Sequence, residues 1–83
     1  MKLCIAIPAL NEEKTIAEAI ESIPKSFKGI SKITIIVIDD GSTDRTAEIA
    51  ESKGAIVIKH KKNLGVGASF QDGLAKAIDL QTN

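Results

Sequence analysis

Residues 33–38 read Ile-Thr-Ile-Ile-Val-Ile, a β-branched run without helical period that stops abruptly at Asp39-Asp40-Gly41. The run is too short for a buried helix and has the composition of a strand covered on both faces. Similar runs stand on either side of it, Lys2–Ile7 before and Ala55–Lys59 after, with helix-type stretches between them. A strand that reaches the next one through a helix returns parallel, by a right-handed crossover. The predicted fold class is therefore α/β, with elements in the order β-α-β-α-β-α. Its three parallel strands form half of a doubly wound sheet.

The helices follow from period and punctuation. The first is predicted from Glu12 to Ile23, with Ile16, Ala19, Ile20 and Ile23 as its buried stripe and Asn11 as cap. Pro8, which cannot donate to a ladder, is expected to end the first strand. Ser42 is the expected cap of the second helix, with Asp44 near its positive end and Gly54 as a left-handed stop. The last helix places Phe70, Leu74 and Ile78 at i, i+4 and i+8.

Composition excludes several classes. Eleven basic residues balance eleven acidic ones, so no net field points to nucleic acid or to an anionic membrane. Phe27 and Phe70, the two aromatics, offer little for stacking bases. Cys4 is a single thiol inside an apolar run and reads as a small buried hydrophobe. Nothing resembles a secretion signal or a membrane span, and the expected location is the cytoplasm, with membrane association of the parent enzyme on the cytoplasmic face as the alternative. A chain of 83 residues has a thin core, burying roughly 60–65% of its unfolded surface.

The chemistry gathers where strands end. Pro8-Ala9-Leu10-Asn11-Glu12-Glu13 and Asp39-Asp40-Gly41-Ser42-Thr43-Asp44 each close an apolar run. Adjacent parallel strands bring both clusters to one sheet edge, where open α/β sheets hold their ligands. Asp39 and Asp40 point to opposite faces, so one is expected to face the crevice and the other to accept N–H groups of the Gly41-Ser42 turn. A carboxylate facing a nucleobase accepts its imide N–H and selects uracil or guanine over cytosine. A purely structural reading, in which both cap the turn, stands beside it. Acids at a helix start have a structural reason of their own, the helix dipole, but Glu12 and Glu13 also suit ribose hydroxyls. Asn63-Leu64-Gly65-Val66-Gly67-Ala68 is not a dinucleotide fingerprint, since Phe70 stands where the third glycine belongs. Gly65 and Gly67 nonetheless offer backbone N–H groups at a helix start to a phosphate. His60 reads as a solvated loop histidine, and Lys59, Lys61 and Lys62 as a solvated basic patch.

Taken together, the three segments resemble the N-terminal nucleotide-binding half of family 2 glycosyltransferases with the GT-A fold. The resemblance covers the whole chain and implies a Rossmann-like sheet in the strand order 3-2-1. It implies that Pro8 and Ala9 line the base pocket, that Glu12 and less surely Glu13 approach the ribose, and that Asp40 binds the base, with Asp39 less firmly implied. The tone of the segments resembles the branch acting on polyprenyl phosphates. The implied activity is hexosyl transfer from a UDP- or GDP-linked sugar to an acceptor, lipid-linked in that branch. A divalent metal, Mg or Mn, is implied for the full enzyme, on an Asp-x-Asp segment that would follow the next strand; no metal ligand is assigned here. Two departures follow. Ser69, Phe70 and Gln71 stand where the family often has a basic residue, and the sequence ends before the metal segment.

These expectations make residues 1–83 a single partial domain, binding its nucleotide weakly and inactive alone. The first strand would have an unpaired edge, giving marginal stability or self-association through it. The competing reading is a complete, non-enzymatic α/β module that binds a nucleotide or a protein.

Overall fold

The computed structural model describes residues 2–62 and 64–81; Asn63 of the third segment lies outside them. Its elements are β1 (Lys2–Ala9), α1 (Ile16–Glu21), β2 (Lys32–Asp39), α2 (Thr46–Ser52), β3 (Ile56–Lys59) and α3 (Val66–Gln81). The strands form one parallel sheet in the order β1-β2-β3, which is the expected 3-2-1 order read from the other edge.

Side chains alternate across the sheet and sort into two layers. Ala9, Val37 and Ala55 pack with Ile16 and Ile20 of α1 and Ala50 of α2, joined by the partly buried Ile7, Ile35, Ile49 and Val57. On the opposite face, Ala6 and Ile38 meet Gly73 of α3. Helices cover both faces of the sheet, and the parallel direction of the strands brings all three strand ends to one edge.

The α2–β3 connection shows why Gly54 stops the helix. Its φ is +91°. Its N–H donates to the Glu51 carbonyl at 3.0 Å, and the Ala55 N–H donates to the Ala50 carbonyl at 3.2 Å. That pair of bonds is the Schellman arrangement, which satisfies carbonyls the helix leaves over.

Four expectations change. Pro8 does not end β1, which runs on to Ala9 in register with Asp39. The Ala9 carbonyl accepts the Asp40 N–H, so by alternation the N–H that Pro8 lacks would point away from β2, where no ladder bond is lost. The α1 helix starts at Ile16, behind a turn in which the Thr15 and Ile16 N–H groups donate to the Glu12 carbonyl. Neither Asn11 nor Ser42 caps a helix; the caps fall at Thr15 and Arg45, and neither makes a side-chain capping bond. The apolar stripe of α3 is largely exposed, with Phe70 at 70%, Leu74 at 53% and Ile78 at 55%. The helix instead turns its small residue, Gly73, to the sheet. An apolar groove results, lined by Cys4, Ala6, Pro8 and Ile38 on one side and by Phe70, Leu74 and Ala77 on the other.

Candidate functional site

The strand ends carry two separate side-chain networks. The first joins the β1–α1 loop to the β2–α2 loop. Asn11 has φ +52°, a conformation that asparagine tolerates better than most residues. Its N–H donates to Ser42 Oγ at 2.8 Å, and its Oδ1 accepts the Thr43 N–H at 2.8 Å and the Thr43 hydroxyl at 3.2 Å. The Glu12 N–H donates to Thr46 Oγ1 at 2.8 Å, and the Glu13 N–H to Asp44 Oδ2 at 3.2 Å. In return, the Arg45 N–H donates to Glu13 Oε2 at 3.3 Å. Asp44 also accepts the Thr46 N–H at 3.0 Å and the Thr46 hydroxyl. The hydroxyl bond is the main reason its carboxyl sits below the usual range, against the opposing pull of burial.

Asp39 belongs to this side. Its Oδ1 accepts the Ser42 N–H at 2.8 Å, the turn-capping role expected of one of the two aspartates. The residue is 1% exposed, and its Oδ2 has no hydrogen-bond partner among the described residues.

Asp40 faces the other way and anchors the second network. Its Oδ1 accepts from His60 Nδ1 at 2.7 Å and from the Leu64 N–H at 2.8 Å, and its Oδ2 accepts the Gly65 N–H at 2.9 Å. On its far side, His60 Nε2 lies 2.5 Å from Asp72 Oδ2 on α3. A neutral imidazole has one N–H and can donate to only one of these carboxylates, whereas the imidazolium donates to both. Accordingly the hydrogen bond to Asp40, then that to Asp72, raises the His60 pKa in spite of burial. The His60 bond, then the Leu64 N–H, holds Asp40 below the usual carboxylate range.

This placement corrects the reading of His60 as a solvated loop residue. It is 7% exposed and lies between two acids. Sequence reasoning missed its partner Asp72 altogether, and also Thr46, fully buried where the first network converges. Lys59, Lys61 and Lys62 are exposed, as expected.

The remaining candidates divide. Pro8 is exposed and shares its sheet face with Asp40, while the Ala9 side chain lies in the core, 4% exposed. The carboxylate of Glu12 receives one long bond, 3.3 Å, from the Thr15 hydroxyl and borders an open crevice lined by residues 11–15 and Asp44. Asn11 and Glu13 use side-chain acceptors to brace the neighbouring loop. Gly65, with φ +94°, spends its N–H on Asp40 and does not hold it ready for a phosphate. Gly67 has open space where a Cβ would stand, at the start of α3.

Comparison with known proteins decides the lineage. Residues 4–79 match the family model described as glycosyl transferase family 2. The chain belongs to that family. It is 39% identical over 78 residues to an uncharacterised protein of Methanocaldococcus jannaschii, covering 93% of this chain and 30% of that protein. It is 44% identical over 57 residues to a low-salt glycan biosynthesis hexosyltransferase of Haloferax volcanii, covering 69% of this chain and 14% of the relative.

Solved structures show the same half-fold. Glucosyl-3-phosphoglycerate synthase from Mycobacterium tuberculosis, in complex with Mn2+, UDP-glucose and phosphoglyceric acid, is 41% identical with a TM-score of 0.58 over 70% of this chain and 20% of that one. Staphylococcus aureus TarS is 28% identical with a TM-score of 0.68 over 90% of this chain and 24% of that one. The chain thus spans less than a third of the length of each of these relatives. The Mn2+ of the synthase has no counterpart in the donor set here. Among the described residues, no three His, Cys, Asp or Glu side chains are placed to hold a metal ion. Nor is any helix among them long and apolar enough to cross a membrane.

Proposed function

We propose that this chain is the donor-nucleotide-binding part of a glycosyltransferase that moves a hexosyl group from a UDP- or GDP-linked sugar. The observation that carries the reading is the meeting of the two strand-end segments in a chain that matches the family along nearly its whole length. In this reading the base lies beside Pro8 and the outer lone pair of Asp40, and the exposed Glu12 carboxylate receives the ribose hydroxyls. The diphosphate runs toward Gly67 at the start of α3. Asn11, Glu13 and Asp39 hold the loops that frame the crevice, and Gly65 holds Asp40.

The chain's own residues bind and orient. Leaving-group departure calls for a positive charge on the diphosphate, normally a metal ion. The described side chains do not fit one, and the chain spans less than a third of its relatives' length, which supports reading residues 1–83 as a partial domain that binds weakly and does not transfer sugar alone. In the same reading the parent protein works in the cytoplasm or on the cytoplasmic face of a membrane, and the polyprenyl-like tone of the segments supports a lipid-linked acceptor.

NMR titration of the chain with UDP, GDP and NAD tests this. Shifts at Glu12, Asp40 and Gly67 on adding UDP or GDP are expected. Tight NAD binding without a UDP or GDP response would overturn the reading, and sugar transfer by the chain alone would overturn its inactive half.

A further inference from the structure

Each carboxylate oxygen offers about two acceptor sites. Asp40 Oδ1 fills both, with His60 Nδ1 and the Leu64 N–H, while Oδ2 accepts only the Gly65 N–H among the described residues. The side chain is 10% exposed, so the acceptor site left on Oδ2 has a fixed direction and a narrow approach. That direction depends on His60, whose ring is itself held from behind by Asp72 on α3. We propose that His60, clamped between Asp40 and Asp72, is a positioning residue that holds the Asp40 carboxylate so that one oxygen lone pair meets the imide N–H of a uracil or guanine base. The inference rests on the nucleotide reading above and adds two residues, His60 and Asp72, that need not touch the ligand.

The physical case is a chain of dependence. A carboxylate free to rotate presents acceptors in many directions and discriminates poorly between a base with an imide N–H and one without it. Three donors, all from the loop between β3 and α3, remove that freedom. The His60 backbone is fixed as well, its N–H donating to the Asp39 carbonyl at 2.8 Å, so the ring cannot follow a moving carboxylate. The charged groups facing the ring are Asp40 just past the end of β2 and Asp72 from α3, with Lys59 and Lys61 beside it on its own segment. If the ring loses a proton, one of its two carboxylate bonds must break, and the clamp opens at Asp40 or at Asp72.

His60 is the chain's only histidine, so its ring signals need no assignment. The test combines its 15N titration with NMR binding curves for UDP and CDP, on the wild-type chain, Asp72→Asn and His60→Gln. Asp72 is half-exposed, so D72N keeps the test open even if H60Q does not fold. The expected result is that D72N lowers the His60 titration midpoint and weakens UDP binding about five- to tenfold, the size of a weakened bond to a charged group. CDP binding should change little, so the preference for UDP shrinks. In the wild type, UDP affinity should fall along the same pH curve on which His60 titrates.

A lowered midpoint in D72N with unchanged UDP affinity and unchanged preference over CDP would overturn the positioning role and leave the nucleotide reading intact. Equal loss of UDP and CDP affinity would overturn it too, showing a merely structural part. No wild-type response to UDP or GDP would overturn the nucleotide reading itself, and this inference with it.

Discussion

Gly73 of α3 meets Ile38 of β2 so closely that a Cβ on it would lie 3.0 Å from Ile38 Cδ1 and 3.2 Å from Ala6 Cβ. Ile38 is fully buried, and the Ala6 methyl is fixed to its backbone, so neither yields easily. Alanine gains about 1 kcal/mol over glycine inside a helix, while overpacking costs about 1–3 kcal/mol. Gly73→Ala should therefore lose about 1 kcal/mol in urea denaturation. A gain in stability would show that α3 can shift away from the sheet at no cost.

Asn11 combines a left-handed φ with a side chain that accepts two bonds from Thr43. Asn11→Ala should cost about 2 kcal/mol, from strain plus lost hydrogen bonding. Asn11→Gly keeps the backbone conformation and loses the acceptor, so about 1 kcal/mol is expected. Thermal unfolding of the pair separates the contributions, and equal losses would refute strain at this residue.

Stability should pass through a maximum between two titrations of opposite sign. The raised pKa of His60 contributes stability that is complete below its ordinary value of about 6.5 and is lost as pH rises through the native value. The lowered pKa of Asp40 contributes stability that is complete above about 3.9 and is lost as pH falls through its native value. Urea midpoints measured across the pH range would reveal both limbs, and His60→Gln should flatten the alkaline one. A wild-type midpoint still climbing above the His60 titration would contradict the ion-pair geometry.

The outer edge of β1 gives a residue-level test of self-association. The Ala9 carbonyl bonds β2, so the N–H groups of Leu3, Ile5 and Ile7 also face β2, while those of Cys4 and Ala6 face away. In dilute solution, Cys4 and Ala6 should exchange their amide hydrogens faster than Leu3, Ile5 and Ile7. Their protection should rise with concentration if chains pair through this edge. Equal, concentration-independent protection along β1 would indicate an edge already covered.

Strands were the most legible part, because unbroken β-branched runs such as Ile33–Ile38 admit few other conformations. The opposite facing of Asp39 and Asp40 was legible too, since it follows from strand geometry alone. What escaped were polar side chains whose partners lie far along the chain. Asn11 has the composition of a helix cap, yet its acceptor serves Thr43, 32 residues away. The isolated look of His60 in the sequence concealed Asp72, 12 residues later on α3. Phe70, Leu74 and Ile78 fall on one helix face as their spacing requires, but spacing identifies an apolar face without saying what lies against it.

The opposed directions of Asp39 and Asp40 have a consequence for how this edge tolerates change. The Asp39 network reaches the first two loops, the Asp40 network reaches the third loop and α3, and their side-chain bonds share no residue among those described. Side-chain losses at positions far apart in the two should add, as sites without shared partners do, because either substitution leaves in place the backbone bond from the His60 N–H to the Asp39 carbonyl. Substitutions around His60 and Asp72 can then accumulate without compensating changes near Asn11 or Asp44. Two consecutive residues where one strand ends so divide the rim into halves that natural variation can alter separately.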